Sequence, residues 1–289
     1  MTPPIAATPP VDVSLTAIAA RLDRLPEVLD SLLAQDYAPR RVHLYLSHEP
    51  HLLDAGVPAL PPALAAMQAH AGGRLEVRFV PNTGPYRKLL PYLRAAGGRS
   101  RLVATADDDT LYPPDWLSGL VAGWRACRCV VGYRGHRIRI EAGAPAPYRS
   151  WMQARTGPNP GRLLLPIGKE GVLYDTAFFP DAVLDTEAAL RIAPTADDLW
   201  FRWHLALNRI PVFLIDGAGA GPGAGPEAPA SGDSLFLRYN MAGGNDATVA
   251  ALEAYIRRRH GASIADLDPG ARPAPRRTGT VPGGPDPAA

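Results

Sequence analysis

Residues 101–117 read RLVATADDDTLYPPDWL and combine the features that decide the fold. Residues 101–106 are short and apolar, which is typical of a strand buried in a sheet. Three acids at 107–109 follow at once, and a helix is predicted from near Pro114. The apolar positions of that helix are Leu117, Leu120, Val121 and Trp124. The stretch therefore predicts a buried strand, an acidic turn at its carboxyl end and a covering helix.

Strands and helices alternate in the same way from residue 11 to residue 125. Further strands are predicted over 11–16, 42–47 and 75–80. Helices are predicted over 25–33, 62–70 and 85–96. Such βαβ units pack into a largely parallel sheet with helices on both faces, and right-handed crossovers bring the loops after the strands to one edge. The expected fold class is therefore α/β, with ligands bound at the carboxyl edge of the sheet.

The pattern changes after Val130. Short strand-like pieces lie between Pro- and Gly-rich loops at 137–140, 163–165 and 171–174. They indicate an attached mixed-sheet region rather than more βαβ units. Helices return over 196–207 and 246–259. We therefore expect an α/β half over residues 11–130 and a second, mixed-sheet half over residues 131–267.

Three segments are too poor in large side chains to pack. Residues 1–10 are Pro-rich and predict a flexible N-terminus. Residues 217–229 read GAGAGPGAGPEAP, which predicts a mobile loop. Residues 268–289 are again rich in Pro and Gly and predict a disordered tail.

Charge and cysteine content exclude several classes of protein. The 289 residues include 30 Lys and Arg against 28 Asp and Glu, and the formal charge of +2 predicts no nucleic-acid partner. Cys127 and Cys129 are expected on a strand-like segment, too close for a disulfide and too few for a zinc site. The sequence shows neither a long apolar run nor a signal peptide. Together with reduced cysteines, this predicts a cytoplasmic location.

The triple-acid turn, Asp107 to Asp109, is the strongest candidate for chemistry. In an extended segment, Asp107 and Asp109 point to one side and Asp108 to the other. Two carboxylates on one face suit Mg²⁺ or Mn²⁺, which takes its other ligands from water and substrate phosphates. The turn therefore predicts a metal–diphosphate site. The alternative is an acidic turn that caps the following helix.

A second acidic pair, Asp197 and Asp198, opens the helix predicted over 196–207. The segment Thr195 to Asp198 has the spacing of a capping box, and acids are favoured in any first helical turn, so the pair alone indicates capping. The alternative is a general base, in which one carboxylate removes a proton from an acceptor hydroxyl. The same residue can do both.

Weaker candidates lie at the same predicted edge. Lys88 closes the segment that begins at Asn82, at the opening of the third helix, where a cation and free N–H groups would meet phosphate. A solvated lysine is the alternative. Thr16, Arg21 and Glu49 lie at or after the ends of the first two strands, where a nucleotide is expected.

Four blocks of sequence together resemble a known family. They are Leu15-Thr16, SLLAQDY at 31–37, NTGPYRKL at 82–89 and TADDDTLYPPDWL at 105–117. They resemble the nucleotide-sugar glycosyltransferases of GT-A fold and family-2-like kind, especially bacterial polysaccharide and lipopolysaccharide enzymes. The matched blocks run from about residue 11 to residue 260. The resemblance implies a Rossmann-like, mostly parallel sheet flanked by helices, with a smaller mixed-sheet acceptor region. It makes residues 11–130 the nucleotide-sugar-binding half and residues 131–267 the acceptor and catalytic half.

The resemblance implies roles for both acidic motifs. Asp107 and Asp109 match the Asp-x-Asp carboxylates that bind Mn²⁺ or Mg²⁺ and the nucleotide diphosphate, with Asp108 between them. The segment 196–200 looks like the one that supplies the base of inverting members. This similarity makes Asp198 the catalytic base and Asp197 the second candidate. Together with the metal, Lys88 would stabilise charge on the leaving diphosphate.

The resemblance also covers two loops and has one departure. Residues 168–174 resemble the loop that lines the donor sugar, and residues 240–246 (NMAGGND) resemble a segment that closes near the acceptor. The family has an aspartate near the end of the second strand that touches the nucleobase. This aspartate is missing from residues 45–49, where Glu49 or His48 would take its place.

The implied reaction is metal-dependent, inverting transfer of a sugar from a nucleoside diphosphate sugar, expected to be UDP-linked. The acceptor is a hydroxyl of a saccharide or lipid-linked molecule in bacterial surface polysaccharide synthesis. A lipid-linked acceptor would bring the enzyme into peripheral contact with the inner membrane. Two alternatives stay open: a nucleotidyl- or sugar-phosphate transferase on the same fold, and a non-catalytic subunit that binds sugar or nucleotide.

Overall fold

The computed structural model describes residues 9–215 and 243–267, together with Tyr239. The strands are β1 (Val11–Thr16), β2 (Arg41–Leu46), β3 (Leu75–Phe79), β4 (Leu102–Ala106), β5 (Val130–Gly132), β6 (Gly135–Arg137), β7 (Ile140–Glu141), β8 (Ala144–Pro145), β9 (Leu164–Pro166), β10 (Val172–Asp175) and β11 (Val212–Leu214). The helices are α1 (Leu25–Leu33), α2 (Pro62–His70), α3 (Leu90–Ala96), α4 (Trp116–Cys127), α5 (Tyr148–Met152), α6 (Thr186–Ile192), α7 (Asp197–Leu207) and α8 (Gly244–His260).

Several predicted segments lie outside the described residues. They are residues 1–8 of the N-terminal segment, the loop at 217–229, residues 240–242 of NMAGGND and the tail at 268–289.

Seven strands form one central sheet in the order β11-β5-β10-β4-β1-β2-β3. β1 pairs in parallel with β2 and β4, and β2 pairs in parallel with β3. β10 runs antiparallel between β4 and β5, and β11 is parallel to β5. The predicted α/β class with a mostly parallel sheet is confirmed. The piece predicted at 171–174 is β10, so it belongs to the central sheet, whereas β6 with β9 and β7 with β8 form small antiparallel pairs.

Two apolar cores lie on opposite faces of this sheet, because successive strand residues face opposite sides. On β10, Leu173 packs into the core that α1 and α4 cover. Its neighbours Val172 and Tyr174 pack into the core that α3, α7 and α8 cover. The helices therefore leave the carboxyl edge of the parallel strands open for a site.

The helix predicted over 85–96 is interrupted. A 3₁₀ turn spans Gly84–Lys88, and α3 begins only at Leu90. Pro91 explains the break, because proline lacks an N–H for an internal helical hydrogen bond and is tolerated only in the first turn. Lys88 therefore lies in the turn before α3, not within a helix.

The expectation that Cys127 and Cys129 form no disulfide is wrong. The structure pairs them as a disulfide, with their Cα atoms 5.4 Å apart. The segment is not strand-like, because α4 ends at Cys127 and Arg128 adopts a left-handed φ of 50°. This reversal brings the Cα atoms into the range that a disulfide spans. The cysteines therefore give no support to the predicted cytoplasmic location.

Both α7 and α8 confirm helices predicted for the second half. One buried acid connects these two helices to the 3₁₀ turn at Ile264–Leu267. Glu253 of α8 accepts hydrogen bonds from Trp203 Nε1 (2.8 Å), Ser263 Oγ (2.6 Å) and the Ile264 N–H (3.0 Å). Glu253 is buried, so its carboxylate replaces water for three donors. Within the described ranges, neither these helices nor any other is long and apolar enough to cross a bilayer.

Replacing Glu253 with alanine should lower the free energy of unfolding by about 1–3 kcal/mol, because buried donors then lack an acceptor. Urea denaturation followed by circular dichroism measures this change. The control is Glu187→Ala, since the Glu187 side chain is 90% exposed and a surface ion pair contributes little. Equal stability of the two variants would contradict the structural role of Glu253.

Candidate active site

The triple-acid turn directly follows β4 at the carboxyl edge, and an aromatic pair holds it in place. The Asp107 N–H donates to Tyr112 Oη at 2.8 Å. The Tyr112 ring packs against Trp116 of α4, with ring centroids 4.5 Å apart. α4 has Asp115 at its N-cap, without a side-chain capping bond, so the triple-acid turn does not cap this helix. The alternative of a capping turn is therefore wrong.

The three carboxylates of the turn have different surroundings. Asp108 is buried, and its carboxylate accepts hydrogen bonds from Arg21 Nη1 (2.6 Å) and the Ile18 N–H (3.2 Å). Burial raises the pKa of Asp108 to about 6, although Arg21 opposes the shift. The side chains of Asp107 and Asp109 are 28% and 38% exposed. Asp108 thus fixes the turn to the loop after β1, while its two neighbours stay accessible.

Asp107 and Asp109 fit the requirements of a divalent cation. Burial and the adjacent Asp107 carboxylate raise the pKa of Asp109, so the two acids lie close enough to repel each other. In the part of the chain that the structure describes, no three His, Cys, Asp or Glu side chains form a ligand cluster. Mg²⁺ needs only one or two carboxylates when water and phosphate supply the rest. These two carboxylates could therefore hold Mg²⁺ or Mn²⁺.

Lys88 connects the triple-acid turn to the second acidic pair. Its Nζ lies 3.2 Å from Asp107 Oδ1 and 3.3 Å from Asp197 Oδ2, and its side chain is 10% exposed. Burial alone would lower the pKa of Lys88, but the carboxylates of Asp107, Asp197 and Asp198 raise it well above its ordinary value. Lys88 is therefore a permanent cation between the two motifs, and the alternative of a solvated lysine is wrong.

Asp198 points away from the helix that it opens. The N-cap of α7 is Ala196, without a side-chain capping bond, so the predicted capping box does not form. Asp198 Oδ2 instead accepts a hydrogen bond from the Gly168 N–H at 3.0 Å. Burial and the like charge of Asp197 raise the pKa of Asp198 to about 7, against the opposing effect of Lys88. The carboxyl group is thus poised to take up a proton near neutral pH.

The loop over 168–171 packs tightly between the two acidic motifs. A Cβ at Gly168 would lie 2.8 Å from Lys88 Nζ and 3.0 Å from Asp198 Oδ1. A Cβ at Gly171, where φ is +95°, would lie 2.5 Å from the Trp116 ring. The ring nitrogen of Trp116 donates to the Glu170 carbonyl at 2.8 Å. Glycine is therefore needed at both positions. A side chain at Gly168 would displace Lys88 or Asp198, and one at Gly171 would displace the Trp116 ring.

The other predicted nucleotide contacts surround the same edge. Thr16 Oγ1 donates to the Tyr45 carbonyl at 2.8 Å. Glu49 and Asn82 contact each other directly, because the Asn82 N–H donates to Glu49 Oε2 at 3.0 Å. His48 stacks on Phe79, with centroids 4.0 Å apart. Both predicted substitutes, His48 and Glu49, are exposed, so both side chains are open to a ligand.

Sequence reasoning missed a buried ion pair beneath this edge. Arg87 Nη2 lies 2.7 Å from Asp54 Oδ2, and both side chains are at most 2% exposed. Asp54 also accepts from the Ala19 N–H (3.0 Å) and from Asn82 Nδ2 (3.2 Å). One carboxylate thus joins the loops after β1, β2 and β3. The available signal was the Asp-Ala-Gly at 54–56, typical of a turn in which Asp accepts backbone N–H groups.

The mostly parallel sheet, with helices on both faces, is a fold of the GT-A type. The model of the family named Glycosyl transferase family 2 matches residues 17–173, more than half of the chain. The chain belongs to this family. None of the curated protein sequences matches the chain.

Several solved structures are similar to this one. The structure of S. aureus TarS residues 1–349 is 18% identical, with 71% of this chain and 58% of that chain covered, at a TM-score of 0.44. The match therefore spans less than two thirds of that TarS chain. PcManGT, a mannosyltransferase from Pyrobaculum calidifontis in complex with GDP-Man and Mn²⁺, is 16% identical, with coverages of 91% and 79% and a TM-score of 0.46.

A 4-diphosphocytidyl-2C-methyl-D-erythritol synthase is 11% identical, with 80% of this chain and 96% of that chain covered, at a TM-score of 0.43.

Replacing Arg87 with methionine should lower the free energy of unfolding by about 3–5 kcal/mol, because the buried Asp54 carboxylate loses its only guanidinium partner among the contacts described. The double variant Arg87→Met with Asp54→Asn should lose less, since it removes both charges. Denaturant unfolding of the wild type, both single variants and the double variant gives the coupling energy. Additive losses would show that the two side chains act independently.

Proposed function

We propose that this glycosyltransferase catalyses metal-dependent, inverting transfer of a sugar from a nucleoside diphosphate sugar, UDP-linked by expectation, to an acceptor hydroxyl. The acceptor is a saccharide or a lipid-linked molecule, in bacterial surface polysaccharide synthesis. One observation carries the proposal: Lys88 lies within 3.3 Å of both Asp107 and Asp197. Because this contact joins the triple-acid turn to the Asp197–Asp198 pair, a metal-bound diphosphate and a proton acceptor would share one site.

Both halves of the chain contribute to the proposed site. The diphosphate side comes from residues 11–130, through Lys88 and the triple-acid turn. The acceptor side comes from residues 131–267, through the 168–171 loop and the Asp197–Asp198 pair. The donor sugar would therefore lie between the halves, near the 168–171 loop and Asp198.

Asp198 is the proposed general base. Its carboxylate is held by the Gly168 N–H, and its partial exposure leaves it open to an acceptor. Asp197 is buried and engaged by Lys88, so it is less able to reach the acceptor hydroxyl. A base that removes the hydroxyl proton during direct attack on the anomeric carbon leads to inversion, since no enzyme-bound sugar forms.

Four residues would serve the leaving group. Asp107 and Asp109 would hold a divalent cation, which neutralises negative charge that develops on the diphosphate when bound. Lys88 holds Asp107 in place, because its ammonium group pairs with that carboxylate at 3.2 Å. Arg21 does the same for Asp109, at 3.2 Å. Preorganised charges of this kind are among the strongest contributions to catalysis.

Asp198→Asn should lower kcat by about 10²–10⁴-fold with little change in the KM of the donor, because it removes the proton acceptor and keeps the donor contacts. Steady-state kinetics with a donor sugar and its acceptor measure both constants. Asp181→Asn, at an exposed acid outside the site, is the matched control. If Asp197→Asn loses kcat and Asp198→Asn does not, Asp197 is the base and the assignment fails.

The kcat/KM of the wild type should fall as the pH drops below about 7, because burial raises the pKa of Asp198 to about 7 and the protonated acid cannot accept a proton. In Asp197→Asn the fall should begin at lower pH, since the like charge that raises this pKa is gone. Circular dichroism across the same range separates unfolding from titration. A flat profile between pH 5 and 8 would contradict the assignment of the base.

In a thermal-shift screen of nucleoside diphosphates with and without Mn²⁺, the diphosphate of one nucleoside should raise the melting temperature of the protein. It should do so only when the metal is present. At a ligand concentration of about 100 Kd the gain is about 2.7 kcal/mol. The variant Asp107→Asn with Asp109→Asn should lose the metal-dependent part of the stabilisation, measured against its own melting temperature without ligand. Mass spectrometry of the product identifies the group that is transferred. Transfer of a nucleotidyl or sugar-phosphate group would show the alternative transferase, and no transfer at all would show the non-catalytic binding subunit.

A further inference from the structure

A cavity of about 220 Å³ lies away from the proposed active site. β2 and β3 form one wall, through His43, Tyr45, Glu76 and Arg78, and α3 forms the other. Arg41 is the first residue of β2, and Arg101 directly precedes β4. The cavity therefore lies on the face of β2 and β3 that packs toward α3, and none of its lining residues belongs to the triple-acid turn or to the Asp197–Asp198 pair.

Positive charge is in excess around this cavity. Four arginines line it: Arg40, Arg41, Arg78 and Arg101. Arg40 pairs with Asp12 beneath the cavity, and Arg41 and Arg78 both pair with Glu76. Among the described residues, no carboxylate pairs with Arg101. Four guanidinium groups thus face two carboxylates, which leaves an excess of two positive charges.

One buried side chain in the cavity wall lacks hydrogen bonds. His43 is 8% exposed, and its Nδ1 and Nε2 lie 3.1 Å from Glu76 Oε2 and 3.6 Å from Asp12 Oδ2. The contact with Asp12 is too long for a hydrogen bond and the contact with Glu76 lacks the direction of one, so neither nitrogen has a hydrogen bond within the described part of the chain. Buried polar atoms usually have a partner, and the imidazole borders the space that the arginines surround.

We propose that this cavity binds a small phosphate-bearing anion, at a site distinct from that of the donor. A phosphate monoester carries about −1.5 to −2 charges near neutral pH, which matches the excess of two positive charges. Guanidinium groups bind phosphate oxygens in pairs, with strong charge-assisted hydrogen bonds. Sites for larger ligands typically measure about 300–1,000 Å³, so this cavity suits a phosphate or phosphomonoester and not a whole nucleotide sugar.

Protection of an edge strand explains only some of these charges. β3 lies at the edge of the sheet, and exposed charged side chains such as Arg78 prevent such strands from pairing with another molecule. Arg101 lies outside β3, and Tyr92 of α3 donates to the buried Asp12 carboxylate at 2.6 Å to form the floor. A cationic wall over an internal polar floor is the arrangement expected of an anion site.

Isothermal titration of the full chain with sodium phosphate in EDTA tests the site, since EDTA removes divalent metal from the donor site. The wild type should bind phosphate saturably. The variant Arg78→Gln with Arg101→Gln should raise the Kd by about 10-fold or more, because charge-assisted hydrogen bonds are lost. Glu76→Gln should lower the Kd, since it removes a negative charge from the wall. Weaker binding by the arginine variant could also result from misfolding, but misfolding would not make Glu76→Gln bind phosphate more tightly. The two variants together therefore separate the effect of charge from that of misfolding.

Two controls locate the bound phosphate. Arg191→Gln, at an exposed helical ion pair, should bind like the wild type. Asp107→Asn with Asp109→Asn should also retain phosphate binding in EDTA. The proposal is overturned if the wild type shows no saturable binding, if only the variant of the triple-acid turn changes the Kd, or if Glu76→Gln fails to tighten binding.

Two further probes identify the source of the phosphate group. Glycerol 3-phosphate presents it on a soluble metabolite, and vesicles of phosphatidylcholine with phosphatidic acid present it on a lipid. Binding of either probe that requires Arg78 and Arg101 supports the site and names the source. Binding of both probes without dependence on these arginines would overturn it.

Discussion

A buried ammonium group holds the two acidic motifs of this enzyme together. Lys88 lies 3.2 Å from Asp107 and 3.3 Å from Asp197, and Asp198 is near enough to raise its pKa further. Removing charges from water is costly unless they are paired. A single cation cannot neutralise three carboxylates, so the centre keeps negative charge. That surplus provides a physical reason for the proposed metal, and together with burial, which is the larger cause, it raises the pKa of Asp198.

Two rigid supports keep this charged centre in place. Tyr112 and Trp116 hold the triple-acid turn and the 168–171 loop from below, and Gly171 fits only because it lacks a side chain. Asp54 joins the loops after three parallel strands. These contacts limit the movement of the carboxylates, and preorganised charges stabilise a transition state without further rearrangement.

Local patterns were sufficient for much of the fold and for the identity of the acids. The first four strands follow from short apolar runs, and α7 and α8 follow from helical periodicity. Asp107 and Asp109 could be selected because consecutive acids directly follow an apolar strand. The pair Asp197–Asp198 alone indicated capping, and only the family resemblance favoured Asp198 as the base. The helix predicted through Pro91 was wrong at the point where a proline excludes an internal hydrogen bond, and the disulfide was missed because the reversal at Arg128 leaves no composition signal.

The order of residues specifies which segments become strands and which acids follow them, since hydrophobic periodicity and turn chemistry act over a few neighbours. Only the packed chain decides that Asp198 faces Gly168 rather than capping its own helix, that Lys88 lies between distant acids, and that Arg87 meets Asp54. These choices depend on burial, because the energy of a charge is set by groups that approach it in space and not by its neighbours along the chain.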